Sequence, residues 1–138
     1  MSAWQRLILS QRYNNVNSWD LMLLNGTSIK FEFRAWNSTL DSSKSVDSVT
    51  SVSTNTWYHV CFVYTANVNI SLFINGVNEN TTTGLTGYGS NSDSETLKLG
   101  IFGADLTAPR YFNGTIDEVM IFNRSLDATE ITNLYNNQ

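Results

Sequence analysis

At 138 residues with 14% charged side chains, the chain is sized for a single domain, and its net charge of −4 without any Lys/Arg cluster leaves no electrostatic footprint for nucleic acid. Its one cysteine, Cys61, excludes an intrachain disulfide and a cysteine-based metal cluster. No stretch approaches the roughly eighteen apolar residues of a membrane-spanning helix, and Asn, Ser and Thr supply roughly a third of the chain, so the surface is polar but weakly charged.

Taken in order, residues 7–10 read as a short strand. Residues 19–24 and 29–36 flank Asn25-Gly26, a pair suited to the positive φ of a hairpin turn. Ile29, Phe31, Phe33 and Ala35 alternate with Lys30, Glu32, Arg34 and Trp36, an antiparallel pattern whose polar face is expected in water. Residues 37–55 are Ser-rich and predict a loop containing one weak strand. In residues 57–64, Trp57, His59, Cys61 and Val63 face one way and Tyr58, Val60, Phe62 and Tyr64 the other, which predicts a central strand. Cys61 is expected to fill core space. Ile70, Leu72 and Ile74 form the next inward face, and Asn75-Gly76 turns the chain. Residues 77–96 read as a long polar connection, 97–102 as another strand, and the sole proline, Pro109, lies in the connection after it.

The C-terminal stretch is the most sharply marked. Asn113-Gly114 precedes residues 115–122, where Thr115, Asp117, Val119 and Ile121 share one face and Ile116, Glu118, Met120 and Phe122 the other. Both faces are largely apolar, so an interior strand is expected. Asp127 and Glu130 form a capping box for a closing helix, Leu126 and Ile131 its hydrophobic staple, and Ile131, Leu134 and Tyr135 an apolar stripe. Many short strands, frequent turn signals and one terminal helix predict an all-β sandwich.

The run from Gly114 to Tyr135 resembles the C-terminal signature of the laminin G-like, concanavalin A-like lectin/glucanase domains, a Gly-x-Ile-Asp-Glu-Val strand followed by an Asn-Arg-x-Leu turn and a helix. Thr56-Trp57-Tyr58-His59-Val60, the run from Ile70 to Gly76 and the run from Leu97 to Gly100 resemble further family strands in the family's order. The resemblance implies a concanavalin A-like jelly roll of two antiparallel sheets with one short C-terminal helix, a single domain over 1–138. It also implies that the family's first strands, an aromatic-rich central one among them, are missing here. An apolar strand at 115–122 would then stand at a sheet edge open to association.

Site expectations follow from both readings. The glucanase relatives carry alternate carboxylates on one strand face, and this chain has no such run. Asp117 and Glu118 are strand neighbours pointing to opposite faces, so no catalytic pair is expected and the chain is not expected to be an enzyme. His59, the sole histidine, is expected to be structural. Because several laminin G-like relatives bind calcium through loop oxygens, Asp20, Asp93 and Asp105 are the calcium candidates. Trp4, Trp36, Tyr88 and Tyr111 are the aromatics placed to stack on sugar rings. Asn25, Asn37, Asn69, Asn80, Asn113 and Asn123 are sequons open to N-glycosylation. The expected role is a non-enzymatic extracellular or cell-surface module that binds glycan or protein. A virion or surface-filament decoration subunit and a fragment of a glycoside hydrolase-related protein are the alternatives.

Overall fold

The computed structural model describes residues 5–11, 18–37, 39–89, 96–101 and 111–138. Strands β1 (Gln5–Gln11), β2 (Trp19–Asn25), β3 (Ile29–Asn37), β4 (Ser42–Asp47) and β8 (Lys98–Leu99) form one antiparallel sheet in the order β4-β3-β2-β1-β8. Strands β5 (Val60–Thr65), β6 (Asn69–Ile74) and β7 (Val77–Thr83) form a second antiparallel sheet in sequence order, and helix α1 (Ala128–Asn136) closes the chain. This is the two-sheet jelly-roll arrangement with a short C-terminal helix that the sequence predicts.

The odd-numbered residues of β2 and β3 point inward, as side-chain alternation requires. Leu21, Phe31, Phe33 and Ala35 meet Ile70, Leu72 and Ile74 from the opposite sheet, with Leu9, Val46, Leu85 and Tyr88 completing the main core. A second cluster, Phe73, Leu126 and Ile131, joins α1 to the outer face of the smaller sheet, with Cys61, Val63 and Leu134 packed against it. Burial there pushes the Cys61 thiol up to about 11, as for a space-filling group. The β6–β7 turn is built on Asn75 (φ 51°) and Gly76 (φ 78°), the two positive angles of a type I′ hairpin. The first hairpin differs: Asn25 pairs with Ile29, and residues 26–28 make the bend.

Four expectations are corrected. The polar face of β3 is not in water: Glu32 and Arg34 are as buried as their apolar neighbours. Alternation reports two chemically different faces, and here the charges on one are neutralised across the sheet. Residues 77–83, read as part of a loop, form β7. Their polar side chains are spent on hydrogen bonds, Asn80 Nδ2 to the Asp47 carbonyl at 3.2 Å, Thr82 Oγ1 to the Ser45 carbonyl at 2.7 Å and Thr81 Oγ1 with Ser71 Oγ at 2.9 Å.

The other two corrections concern one region. The strand expected at 57–64 begins at Val60 and is an edge, not a centre, among the described residues. Trp57 is 66% exposed, and the chain before Val60 is held by Asn75, whose side-chain oxygen accepts the His59 N–H at 3.0 Å. Residues 115–122 pair with no strand among the described residues. Asp117 Oδ1 accepts the Glu118 N–H at 2.8 Å and Glu118 takes φ 47°, a left-handed kink that interrupts an extended ladder. Of the strand expected at 97–102, Lys98 and Leu99 pair with β1, Ile101 bridges to Tyr111, and residue 102 lies outside the described residues.

The helix cap is as read. Asp127 Oδ1 accepts the Glu130 N–H at 2.8 Å and Glu130 Oε2 accepts the Asp127 N–H at 3.0 Å. Arg124 grips the Glu130 carboxylate at 2.6 and 2.8 Å, and its hydrogen bonds hold that carboxyl down to about 2. Asp127→Ala, which orphans helix donors, is expected to lower the unfolding free energy by about 0.5–2 kcal/mol in urea denaturation.

Candidate ligand-binding face

The Asn25–Ile29 register carries back along the hairpin and sets Asp20 opposite Arg34 and Met22 opposite Glu32. On the other side of β3, Ser45 stands opposite Arg34, Asp47 opposite Glu32 and Ser43 opposite Trp36. These residues share the sheet face turned away from the main core. It is a file of charged and aromatic groups across three strands.

Arg34 is the hinge of this file. Its Nε and Nη2 donate to the two Asp20 carboxylate oxygens at 3.2 and 3.1 Å, a bidentate pair with Asp20 fully buried. The guanidinium carbon also lies 4.9 Å from the Trp36 ring centre, within cation–π range. The indole is thus set by a side chain that is itself fixed at two points.

Glu32 sits beside this pair with 6% of its surface exposed. Burial is the main reason its carboxyl is pushed up to about 7, with Arg34 opposing and Asp47 and Asp20 adding to the rise. Asp47 Oδ1, on the residue opposite, is buried without a hydrogen-bond partner among the described residues. Near neutrality the face therefore holds a carboxyl that can present either a donor or an acceptor.

The other aromatics lie elsewhere. Tyr88 is buried in the main core near the β4 edge, its hydroxyl 2.9 Å from Ser42 Oγ, with the Lys44 ammonium 5.7 Å from its ring centre. Its carbonyl accepts the Tyr64 hydroxyl. Tyr111 is 55% exposed at the bridge to Ile101. Trp4 lies outside the described residues.

Of the calcium candidates, Asp20 is fully buried with both carboxylate oxygens engaged by the Arg34 guanidinium. Asp93 and Asp105 lie outside the described residues, among which no three His, Cys, Asp or Glu side chains form a metal-holding group. Asp117 and Glu118 are both exposed, and the Asp117 carboxylate is turned to its neighbour's N–H. His59 is half-buried with its ring 5.9 Å from Tyr135, and burial holds its imidazole below the ordinary value. Among the sequons, Asn80, Asn113 and Asn123 are exposed and Asn69 is half-buried. Asn37 is buried, with its side-chain oxygen on the Leu40 N–H at 3.1 Å. The side chain of Asn25 lies outside the described residues.

The sequence matches the Laminin_G_3 family, described as the concanavalin A-like lectin/glucanases superfamily, over residues 1–132. A crystal structure of an S-layer domain-containing protein from Clostridium thermocellum ATCC 27405 has a similar fold, at 23% identity and a TM-score of 0.50. The similarity covers 97% of this chain and 64% of that one, so this chain spans under two thirds of its structural relative. No curated protein matches.

The raised Glu32 carboxyl fixes a pH dependence. Between the ordinary value of 4.5 and about 7 the folded chain keeps a proton that the unfolded chain has released. This contribution to stability is full below 4.5 and is lost as pH rises through 7. Unfolding midpoints are expected to fall across that window. Glu32→Gln should flatten the profile and exceed the parent above neutrality by on the order of 2 kcal/mol in urea titrations.

Proposed function

We infer a binding role for this chain, which belongs to the concanavalin A-like lectin/glucanases superfamily. It is a non-enzymatic module that recognises glycan at the half-buried Trp36, where the otherwise buried polar face of its larger sheet reaches the surface, in an extracellular or cell-surface setting. The observation that carries this reading is the Asp20–Arg34–Trp36 unit. A half-buried indole offers an apolar plane for a sugar ring, and the ionic pair beside it suits hydroxyls. Such a combination of one aromatic surface with a few convergent polar groups is the usual makeup of a small-molecule site. Because Asp20 fixes Arg34 and Arg34 contacts Trp36, little side-chain freedom is left to lose on binding.

Glu32 is the residue on which an enzymatic reading would rest, since a carboxyl near 7 can work as a general acid. Its neighbours argue for recognition instead. The acidic residue opposite it in register, Asp47, comes from the adjacent strand, and the nearby Asp20 carboxylate is engaged by Arg34.

Titration calorimetry against the glycans selected by an array tests the assignment. Trp36→Ala is expected to weaken binding by about tenfold or more while leaving the unfolding midpoint near that of the parent. Reducing-sugar assays over a polysaccharide panel should show no turnover. Cleavage that vanishes in Glu32→Gln would make the protein a hydrolase, and binding unchanged in Trp36→Ala would move the site off this face.

A further inference from the structure

We propose that Asn113 is a site of spontaneous covalent modification, where the Gly114 backbone nitrogen closes on the Asn113 side-chain amide and water opens the resulting succinimide to aspartate or isoaspartate. The chain holds three Asn-Gly junctions, Asn25-Gly26, Asn75-Gly76 and Asn113-Gly114. Glycine after asparagine leaves the attacking nitrogen unshielded, because no Cβ stands beside it. By dipeptide alone all three are candidates. The structure separates them.

The Gly114 nitrogen loses its proton to water and bonds to Asn113 Cγ, while the Cγ–Nδ2 bond breaks and ammonia leaves. Water then adds to either carbonyl of the succinimide. Opening the new N–Cγ bond gives aspartate, and opening the original peptide bond gives isoaspartate. Net, water is taken up, ammonia is released, and nothing is oxidised or reduced. The step therefore needs an asparagine free to turn until Cγ meets the next nitrogen, and an N–H open to solvent.

Asn75 is not free to turn. At φ 51° in the β6–β7 turn, its N–H donates to the His59 carbonyl at 2.8 Å and its Oδ1 accepts the His59 N–H at 3.0 Å. Gly76 lies against α1: its carbonyl accepts Thr132 Oγ1 at 3.1 Å, and a Cβ there would stand 3.2 Å from Tyr135 Cδ1. Asn25 ends β2 in register with Ile29, and the Gly26 N–H that would have to attack donates to the Ser28 carbonyl at 3.4 Å. Asn113 has neither restraint. The last backbone pairing before it is the Ile101–Tyr111 bridge with the Phe112 N–H on the Gly100 carbonyl at 2.9 Å. Residues 113–115 are exposed and lie in no strand, and neither Asn113 nor Gly114 forms a hydrogen bond among the described residues. Conversion adds a negative charge shortly before Asp117 and Glu118 in the chain. It also erases the Asn113-Gly114-Thr115 sequon, so glycan attachment and this reaction compete for the same side-chain nitrogen.

Peptide mapping by mass spectrometry, on the full chain held folded in warm, mildly alkaline buffer, tests the assignment. Asn113 is expected to convert first and to give both acids, with Asn25 and Asn75 about tenfold slower because each must open locally before it reacts. In urea those restraints are gone, and the three junctions should convert at similar rates. Asn113→Gln should remove the fast event from the folded chain and leave its unfolding midpoint near that of the parent. Conversion of Asn25 or Asn75 as fast as that of Asn113 in the folded chain would overturn the proposal. So would an Asn113 that keeps its amide in the folded chain and reacts only in urea.

Discussion

Phe33 and Phe62 meet face to face across the sandwich, with ring centres 3.9 Å apart and planes 24° from parallel. Trp19 extends the contact, 6.0 Å from Phe33 and 5.6 Å from Phe62. Phe33 is wholly buried on β3, and Phe62 stands in the middle of β5. A sandwich is two sheets held about 10 Å apart by interdigitating side chains, and this trio is the largest aromatic contribution to that spacing here. Its consequence reaches the other side of the sheet. Once Phe33 points inward, strand alternation leaves Glu32, Arg34 and Trp36 no choice but the opposite face, and a slip of one residue would exchange the two sets.

That opposite face then has to accommodate charge out of water. A lone buried guanidinium or carboxylate is costly, and removing one member of a buried pair is worse than never having had it. Arg34 and Asp20 meet this constraint by a bidentate pairing across β2 and β3. Glu32 meets it differently, by holding its proton toward neutrality. The same groups that neutralise the face also fix the orientation of Trp36, so the structural requirement and the recognition surface coincide in three side chains.

Much of the frame was legible in the residues. Asn75-Gly76 supplied the positive φ angles of the hairpin, Ile70, Leu72 and Ile74 the inward file, and Asp127 with Glu130 the helix start. What escaped reading was long-range. β7 looks like a loop because its Asn and Thr side chains are satisfied by β4 and β6, partners that no local pattern reveals. Residues 115–122 show two apolar faces plainly, but apolarity does not say which strand lies alongside. Trp36 stands out in the sequence as an end-of-strand aromatic, whereas the Asp20–Arg34 pair beside it does not. A signal for it existed: pairing Asn25 with Ile29 and counting outward along the hairpin brings Asp20 to Arg34. The polar alternation of β3 reads as a water-facing side, and that reading hides the pair.

The dependence of both faces on one aromatic contact is open to a direct measurement. A double-mutant cycle of Phe33→Leu and Phe62→Leu, read by urea unfolding, isolates the coupling between the two rings from the loss of each side chain alone. The stacked geometry predicts a coupling of about 0.5–1.5 kcal/mol, with the double variant losing less than the sum of the singles. Losses that add to within about 0.3 kcal/mol would contradict it, because the two sheets would then be held in register by something other than this contact.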